Sequence, residues 1–194
     1  SFEIIQEEMG NIYLDKEIEP IVKRVIHTSA DFDYLNNMCF SKNAVKKAKE
    51  ALKNGAAIVT DTNMAYSGIN KKAAAKYGVS IHCFMADEDV SKEAIERGET
   101  RAALSMEKAS EIQGPVIFAI GNAPTALIRL YELIKEGAIQ PEVIIGVPVG
   151  FVNVVEAKEL IMSLEDVEYI VAKGRKGGSN IAAAICNALL YNID

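Results

Sequence analysis

The sequence has no tryptophan, two histidines and three cysteines in 194 residues. Each scarcity removes a class of chemistry. Cys39, Cys83 and Cys186 are widely spaced and form no Cys-x-x-Cys pair, so neither a thiolate zinc site nor a disulfide framework has anything to build on. They read as reduced thiols, mostly buried, in a cytoplasmic protein. With only His27 and His82 as imidazoles, no metal site is expected. No apolar run approaches the roughly 20 residues of a membrane span. The start, "SFEIIQEEMGNIYLDKE", shows neither the basic region nor the apolar core of a secretory leader. A net charge of -6 argues against a general nucleic-acid binder. Repeats, low-complexity stretches and linkers are also missing, so residues 1–194 read as a single domain.

What is present is an alternation. "AAIVTD" (56–61), "VSIHCFMA" (79–86), "PVIFAI" (115–120), "EVIIGV" (142–147) and "VEYIVAKG" (167–174) are short runs rich in Val and Ile. Between and after them come helical patterns, including "NMAYSGINKKAAAKYG", "APTALIRLYELIKEGA", "VNVVEAKELIMSL" and "SNIAAAICNALLYN", several of which stop at glycine. Continuous apolar strands separated by helices predict a parallel sheet covered on both faces. Ahead of the first strand, Ile18, Ile21, Val22, Val25 and Ile26 repeat at helical spacing and predict an added helix.

That helix places His27 at its C-terminal end, with Asp31 and Asp33 just behind. A helix C-terminus and nearby carboxylates both favour a cationic imidazole, so His27 is a candidate proton donor. It is equally placed to cap the last carbonyls of the helix and do nothing more. His82, mid-strand among apolar neighbours, reads as a core histidine.

The strand-to-helix loops carry the other candidates. In "VIFAIGNAPTALIRL" a strand runs into Gly121, with Asn122 as N-cap and Pro124 in the first helical turn. Free amides there suit a carboxylate or phosphate, and a plain tight turn explains the residues as well. "IIGVPVGFVNVVEAK" and "AKGRKGGSNIAAA" repeat the design, and the second gathers Lys173, Arg175 and Lys176 beside Gly177, Gly178 and Ser179. This reads either as a solvated charge cluster or as an anion site. Neither a Walker loop nor GxGxxG occurs. Thr100 reads as an N-cap, which puts Arg101 in the first turn of a helix, where the macrodipole disfavours a cation by about 0.3–1 kcal/mol. Such a misplaced charge is tolerable on a surface, and it is also what an acidic ligand would require.

Together, "VIHTSADFDY", "VTDTNMAYSGI", "TRAA", "AIGNAPTALIRLYELI", "IIGVPVGFVNVVEAKE" and "KGRKGGSNIAAAICNAL" resemble the signature blocks of the precorrin-8X methylmutase family of cobalamin biosynthesis. They occur in the family's order over nearly the whole chain. Relative to that pattern, the start at Ser1 lacks a few residues, as in a trimmed chain.

The resemblance implies a three-layer flavodoxin-like α/β fold, with five parallel strands in the order 2-1-3-4-5. The loops "DTNMA" and "GNAPT" would then flank the crevice at the topological switch point. It implies a homodimer with sites at the subunit interface, a corrinoid substrate and product, and no cofactor. The implied reaction moves a methyl group from carbon 11 to carbon 12 of the macrocycle, a [1,5]-sigmatropic shift for which the protein holds one tautomer and handles a proton. His27 matches the family histidine in that role. Arg101 matches a family arginine, and Thr100, Thr62, Asn63, Gly121, Asn122, Gly150, Phe151, Arg175, Lys176, Gly177, Gly178 and Ser179 are the implied substrate contacts. A noncatalytic corrinoid carrier and a flavin- or nucleotide-binding flavodoxin-like module remain as alternatives.

Overall fold

The computed structural model describes residues 1–194. The chain opens with α1 (Phe2–Met9), α2 (Glu19–Ser29) and a single turn, α3 (Tyr34–Asn37), followed by β1 (Met38–Phe40) and α4 (Ala44–Lys53). Next come β2 (Ala57–Thr60), α5 (Asn63–Gly68), α6 (Lys71–Lys76), β3 (Ser80–Cys83), α7 (Glu88–Arg97) and α8 (Arg101–Ala109). The last stretch is β4 (Val116–Ile120), α9 (Pro124–Lys135), β5 (Val143–Gly146), α10 (Val154–Met162), β6 (Glu168–Ala172) and α11 (Ser179–Tyr191).

One sheet results, in the order β1-β6-β5-β4-β2-β3. The strands β2 to β6 are the five apolar runs of the sequence, all parallel, and among themselves they take the order 2-1-3-4-5. A sheet of only five parallel strands is corrected by β1, which pairs antiparallel with β6, so the sheet is six-stranded and mixed. At three residues, β1 is too short to display a period-two pattern.

Side-chain alternation builds two cores. Ile58, Ile117, Ile145 and Ile170 face α2, α4 and α11, while Val59, Phe118, Ile144 and Val171 face α8, α9 and α10. Helix α11 is apolar almost all round because α2 packs over its outer side, through Ile21, Val22, Val25 and Ile26. Each such side chain, fully buried, contributes roughly 1.5–3 kcal/mol. This packing holds the end of α2 against the body. No helix is long and apolar enough to cross a membrane.

Several local expectations are corrected. "NMAYSGINKKAAAKYG" forms two helices rather than one, because Ile69 is extended and the Asn70 side chain accepts the Ala73 N–H to start α6. His82 is not in the core: β3 is an edge strand, and the half-exposed ring bonds the Ser80 hydroxyl at 2.9 Å. Of the three free thiols only Cys186 is buried, and burial pushes it up to about 12.

Candidate active site at the carboxyl edge of the sheet

The loops that follow parallel strands meet at the carboxyl edge, and here they are packed together. Thr62, the N-cap of α5, accepts the Ala65 N–H at 3.0 Å and shares a 2.8 Å hydrogen bond with the Ser179 hydroxyl at the start of α11. Gly121 lies so close to the same helix start that a Cβ there would stand 2.7 Å from the Gly178 carbonyl oxygen. A Cβ on Gly177 would collide with the Val147 carbonyl, and the Gly178 N–H donates to that same oxygen at 2.9 Å. These glycines are therefore required by close approach of backbones. The expected crevice between "DTNMA" and "GNAPT" is filled by that approach.

It is also filled by charge. Asp61, fully buried, accepts the N–H groups of Gly121 and Asn122 at 2.9 Å each and that of Ala123 at 2.6 Å. Burial pushes its carboxyl above the ordinary value, and the three N–H donors pull the other way. The amides expected to receive an external anion thus already hold an internal one. Asn122 is not the N-cap; Ala123 occupies that position, and the Asn122 side chain is exposed. Asn63 is exposed as well.

His27 lies in the last turn of α2, exposed, with its ring stacked on Phe2 at a centroid distance of 5.0 Å. It caps no carbonyl: the helix end is closed by the Ala30 N–H, which donates to Ile26 O at 2.7 Å. Asp31 and Asp33, expected to act on the imidazole, are bonded instead to Lys176 at 2.7 and 2.5 Å. That ammonium holds Asp31 below the usual carboxylate range. The bonds also bring the turn after α2 to the loop after β6, which sets His27 at the carboxyl edge.

Thr100 and Arg101 stand where expected. Thr100 caps α8 by accepting the Ala103 N–H at 3.1 Å, and its hydroxyl bonds Thr125 in the first turn of α9 at 3.2 Å. Arg101 is exposed. Among the five arginines it alone has neither a carboxylate nor an aromatic ring beside it. Arg97 and Arg129 share Glu107, Arg24 lies over Phe2 and Tyr191, and Arg175 lies 5.2 Å over the Phe151 ring. Phe151 and Val152 are 81% and 77% exposed. Gly150 donates its N–H to Arg175 O at 3.0 Å, joining the β5 and β6 loops. Beside them opens a broad recess of about 580 Å³ whose lining includes Lys173, Arg175, Asn36, Asn37 and the paired Asp33 and Lys176.

Two residues that organise this edge were not singled out from the sequence. Asp61 is one. Lys158 is the other, 1% exposed, with Nζ donating to the Gly174 and Lys176 carbonyls at 2.7 and 3.0 Å. Its signal was available: Val154, Ala157, Lys158 and Ile161 share the buried stripe of α10, and only one of them is charged. No group of three or more His, Cys, Asp or Glu side chains is placed to hold a metal ion.

A doubly covered sheet whose loop end is closed by its own carboxylate, yet carries an unpaired arginine and exposed apolar side chains, defines an α/β protein with an open face that is both cationic and apolar. The model of the precorrin-8X methylmutase family matches residues 1–192, and the chain belongs to that family, whose members are isomerases that shift a methyl group within their substrate. It is 44% identical to a cobalt-precorrin-8 methylmutase of Leptospira interrogans, over 98% of this chain and 90% of that protein. It is 45% identical to the protein of that name from Priestia megaterium, over 97% of this chain and 84% of that protein. The crystal structure of a precorrin-8X methylmutase from Thermus thermophilus superposes with a TM-score of 0.90 at 37% identity, covering 98% of this chain and 91% of that one.

Proposed function

We propose that this chain moves a methyl group from carbon 11 to carbon 12 of precorrin-8 or its cobalt form, giving hydrogenobyrinate or cobyrinate. The observation that carries the reading is family membership along the full chain, joined to an edge that offers cations and apolar surface to a wide, flat, multiply carboxylated macrocycle.

A sigmatropic shift needs no protein nucleophile. The protein's work is to select one tautomer, hold it and manage a proton. His27 is assigned the proton, since it is exposed at the edge and its ring is oriented by Phe2 rather than spent on a cap. Arg101 is assigned a peripheral carboxylate, because an uncompensated guanidinium at a helix start is most favourable with an anionic ligand bound. Arg175 and Phe151 supply a second contact, with Thr100, Gly150 and the exposed side chains of Asn63 and Asn122 at the rim. Thr62, Gly121, Gly177, Gly178 and Ser179 shape the floor through packing rather than through free amides. A homodimer, with the partner chain closing the open face, completes the reading.

The test is conversion of precorrin-8 followed by absorbance under single-turnover conditions. The wild-type protein converts it, and His27→Ala binds the corrinoid without converting it. Near-normal turnover by His27→Ala would remove the assignment of the proton.

A further inference from the structure

Lys158 is a buried ammonium with no carboxylate near it. Its two partners are main-chain carbonyls, those of Gly174 and Lys176. A leucine or methionine at that point of the α10 stripe would avoid the desolvation that a buried charge suffers. What the lysine achieves, and an apolar side chain would not, is to hold the loop after β6 from below.

The same loop is held from two other directions. Gly150 donates to Arg175 O at 3.0 Å and Gly178 to Val147 O at 2.9 Å, while Gly177 packs against the Val147 backbone. Main-chain atoms of Gly174, Arg175, Lys176 and Gly178 are therefore all engaged. From this fixed base the Lys176 side chain reaches out to Asp31 and Asp33. The turn it grips is itself ordered: Ser29 Oγ donates to Val25 O at 2.8 Å and accepts the Asp31 N–H at 3.1 Å, and Asp33 N–H donates to Asp31 Oδ1 at 2.9 Å. His27 lies in the helical turn that Val25 and Ser29 bracket.

We propose that Lys158 and Lys176 are positioning residues, forming a clasp that runs from α10 through the β6–α11 loop to the turn behind His27. This inference rests on the reading of His27 as the proton-handling group. It also reassigns Lys176, which the family resemblance implies as a substrate contact: its ammonium is engaged by two carboxylates of its own chain, and Lys173 and Arg175 are the cations of this loop left to face the ligand. Exposed ion pairs contribute little stability, so the clasp acts on geometry. A displacement of His27 of about 1 Å relative to the bound macrocycle is enough to slow a step that depends on alignment by roughly 10- to 100-fold.

The experiment compares single-turnover rate with equilibrium affinity for the corrinoid product, measured by absorbance, across a small set of variants. Lys176→Met should lower the rate roughly tenfold or more while leaving affinity within about twofold. Asp31→Asn combined with Asp33→Asn should do the same. Adding Lys176→Met to that pair should cause little further loss, since all three remove one clasp. Lys176→Arg, which still reaches two carboxylates, should restore most of the rate. Lys158→Met should slow the reaction in the same pattern, and the surface variants carry the test if that protein does not fold.

A fall in affinity matching the fall in rate for Lys176→Met would make it a substrate contact and overturn the clasp. An unchanged rate, or failure of Lys176→Arg to restore it, would do so too. His27→Ala run alongside separates the two claims. Full turnover in that variant removes the reading of His27 whatever the others show, whereas an inactive His27→Ala with an unimpaired Lys176→Met removes the clasp alone.

Discussion

The carboxylate of Asp61, at the end of β2, accepts the backbone N–H of Gly121, at the end of the neighbouring β4, at 2.9 Å. The two stand at the switch point of the sheet, where α/β folds commonly receive a ligand between diverging loops. Here the protein supplies its own anion to the amides at the foot of α9. On the proposed reading the ligand takes the outer face of the loops, which suits a molecule too broad for a cleft.

Asp61→Asn should therefore destabilise the fold without touching the ligand face. A carboxamide has one acceptor oxygen and presents an NH2 group where the second carboxylate oxygen stood. At least one buried amide then loses its acceptor, at a cost of about 1–3 kcal/mol. The measurement is urea unfolding, with a lower midpoint at unchanged slope. A variant as stable as the parent would show that these amides do not depend on the carboxylate.

Arg101→Ala should separate stability from binding. Removing a cation from the first turn of α8 relieves an unfavourable dipole interaction of about 0.3–1 kcal/mol, so the melting temperature should hold or rise slightly. Loss of a charge-assisted contact to a peripheral carboxylate costs about 1.5–3 kcal/mol, or roughly one to two decades in corrinoid affinity. Unchanged affinity would demote Arg101 to an ordinary surface residue. The free state of this side chain, set against four partnered arginines, is the reason to expect the loss.

Much of this was legible beforehand because it is written in local patterns. Five Val/Ile runs gave the parallel strands, and the stripe from Ile21 to Ile26 gave α2 with His27 at its end. Thr100 capped α8 as its position demanded. What escaped was either too short or too remote in sequence. The strand β1 has three residues. Helix α4 is the exception, since its buried Ala44, Val45, Ala48, Ala51 and Leu52 form a local helical stripe. Asp61 finds its donors about 60 residues on, and Lys176 finds Asp31 some 145 residues back, so neither pairing leaves a periodic trace. Glycines in "GNAPT" and "GRKGGS" read as ligand cradles because the backbones they admit come from other loops.

Lys158 should give stability a distinctive alkaline slope. Burial lowers its ammonium from 10.5 to about 8, so the folded state releases this proton earlier than the unfolded chain. Below about pH 8 both states are charged and the group adds no slope. Between about 8 and 10.5 the unfolded chain binds more protons, and stability rises with pH by up to about 1.4 kcal/mol per unit. The neutral amine keeps two N–H groups for its two carbonyls, so the loop stays held across this window. Denaturation of the parent and of Lys158→Met over that pH range should differ by this slope. Parallel profiles would mean that Lys158 is not desolvated as its burial implies.

Assembly and activity should fall together on dilution. Phe151 and Val152 are almost fully exposed on a single chain, and His27 shows one side of its ring to solvent at the same edge. On the proposed reading, one chain offers a tetrapyrrole a floor and no second wall. A second copy, closing over the loops after β5 and β6, would cover the apolar side chains and exclude water from the reacting ring. Substrate held between two chains would in turn favour the dimer by mass action. Sedimentation across a dilution series, run beside an activity assay, should show specific activity declining as the dimer dissociates, and added corrinoid delaying both changes. A monomer with full specific activity would rule out the shared wall while leaving the assignment of His27 to its own test.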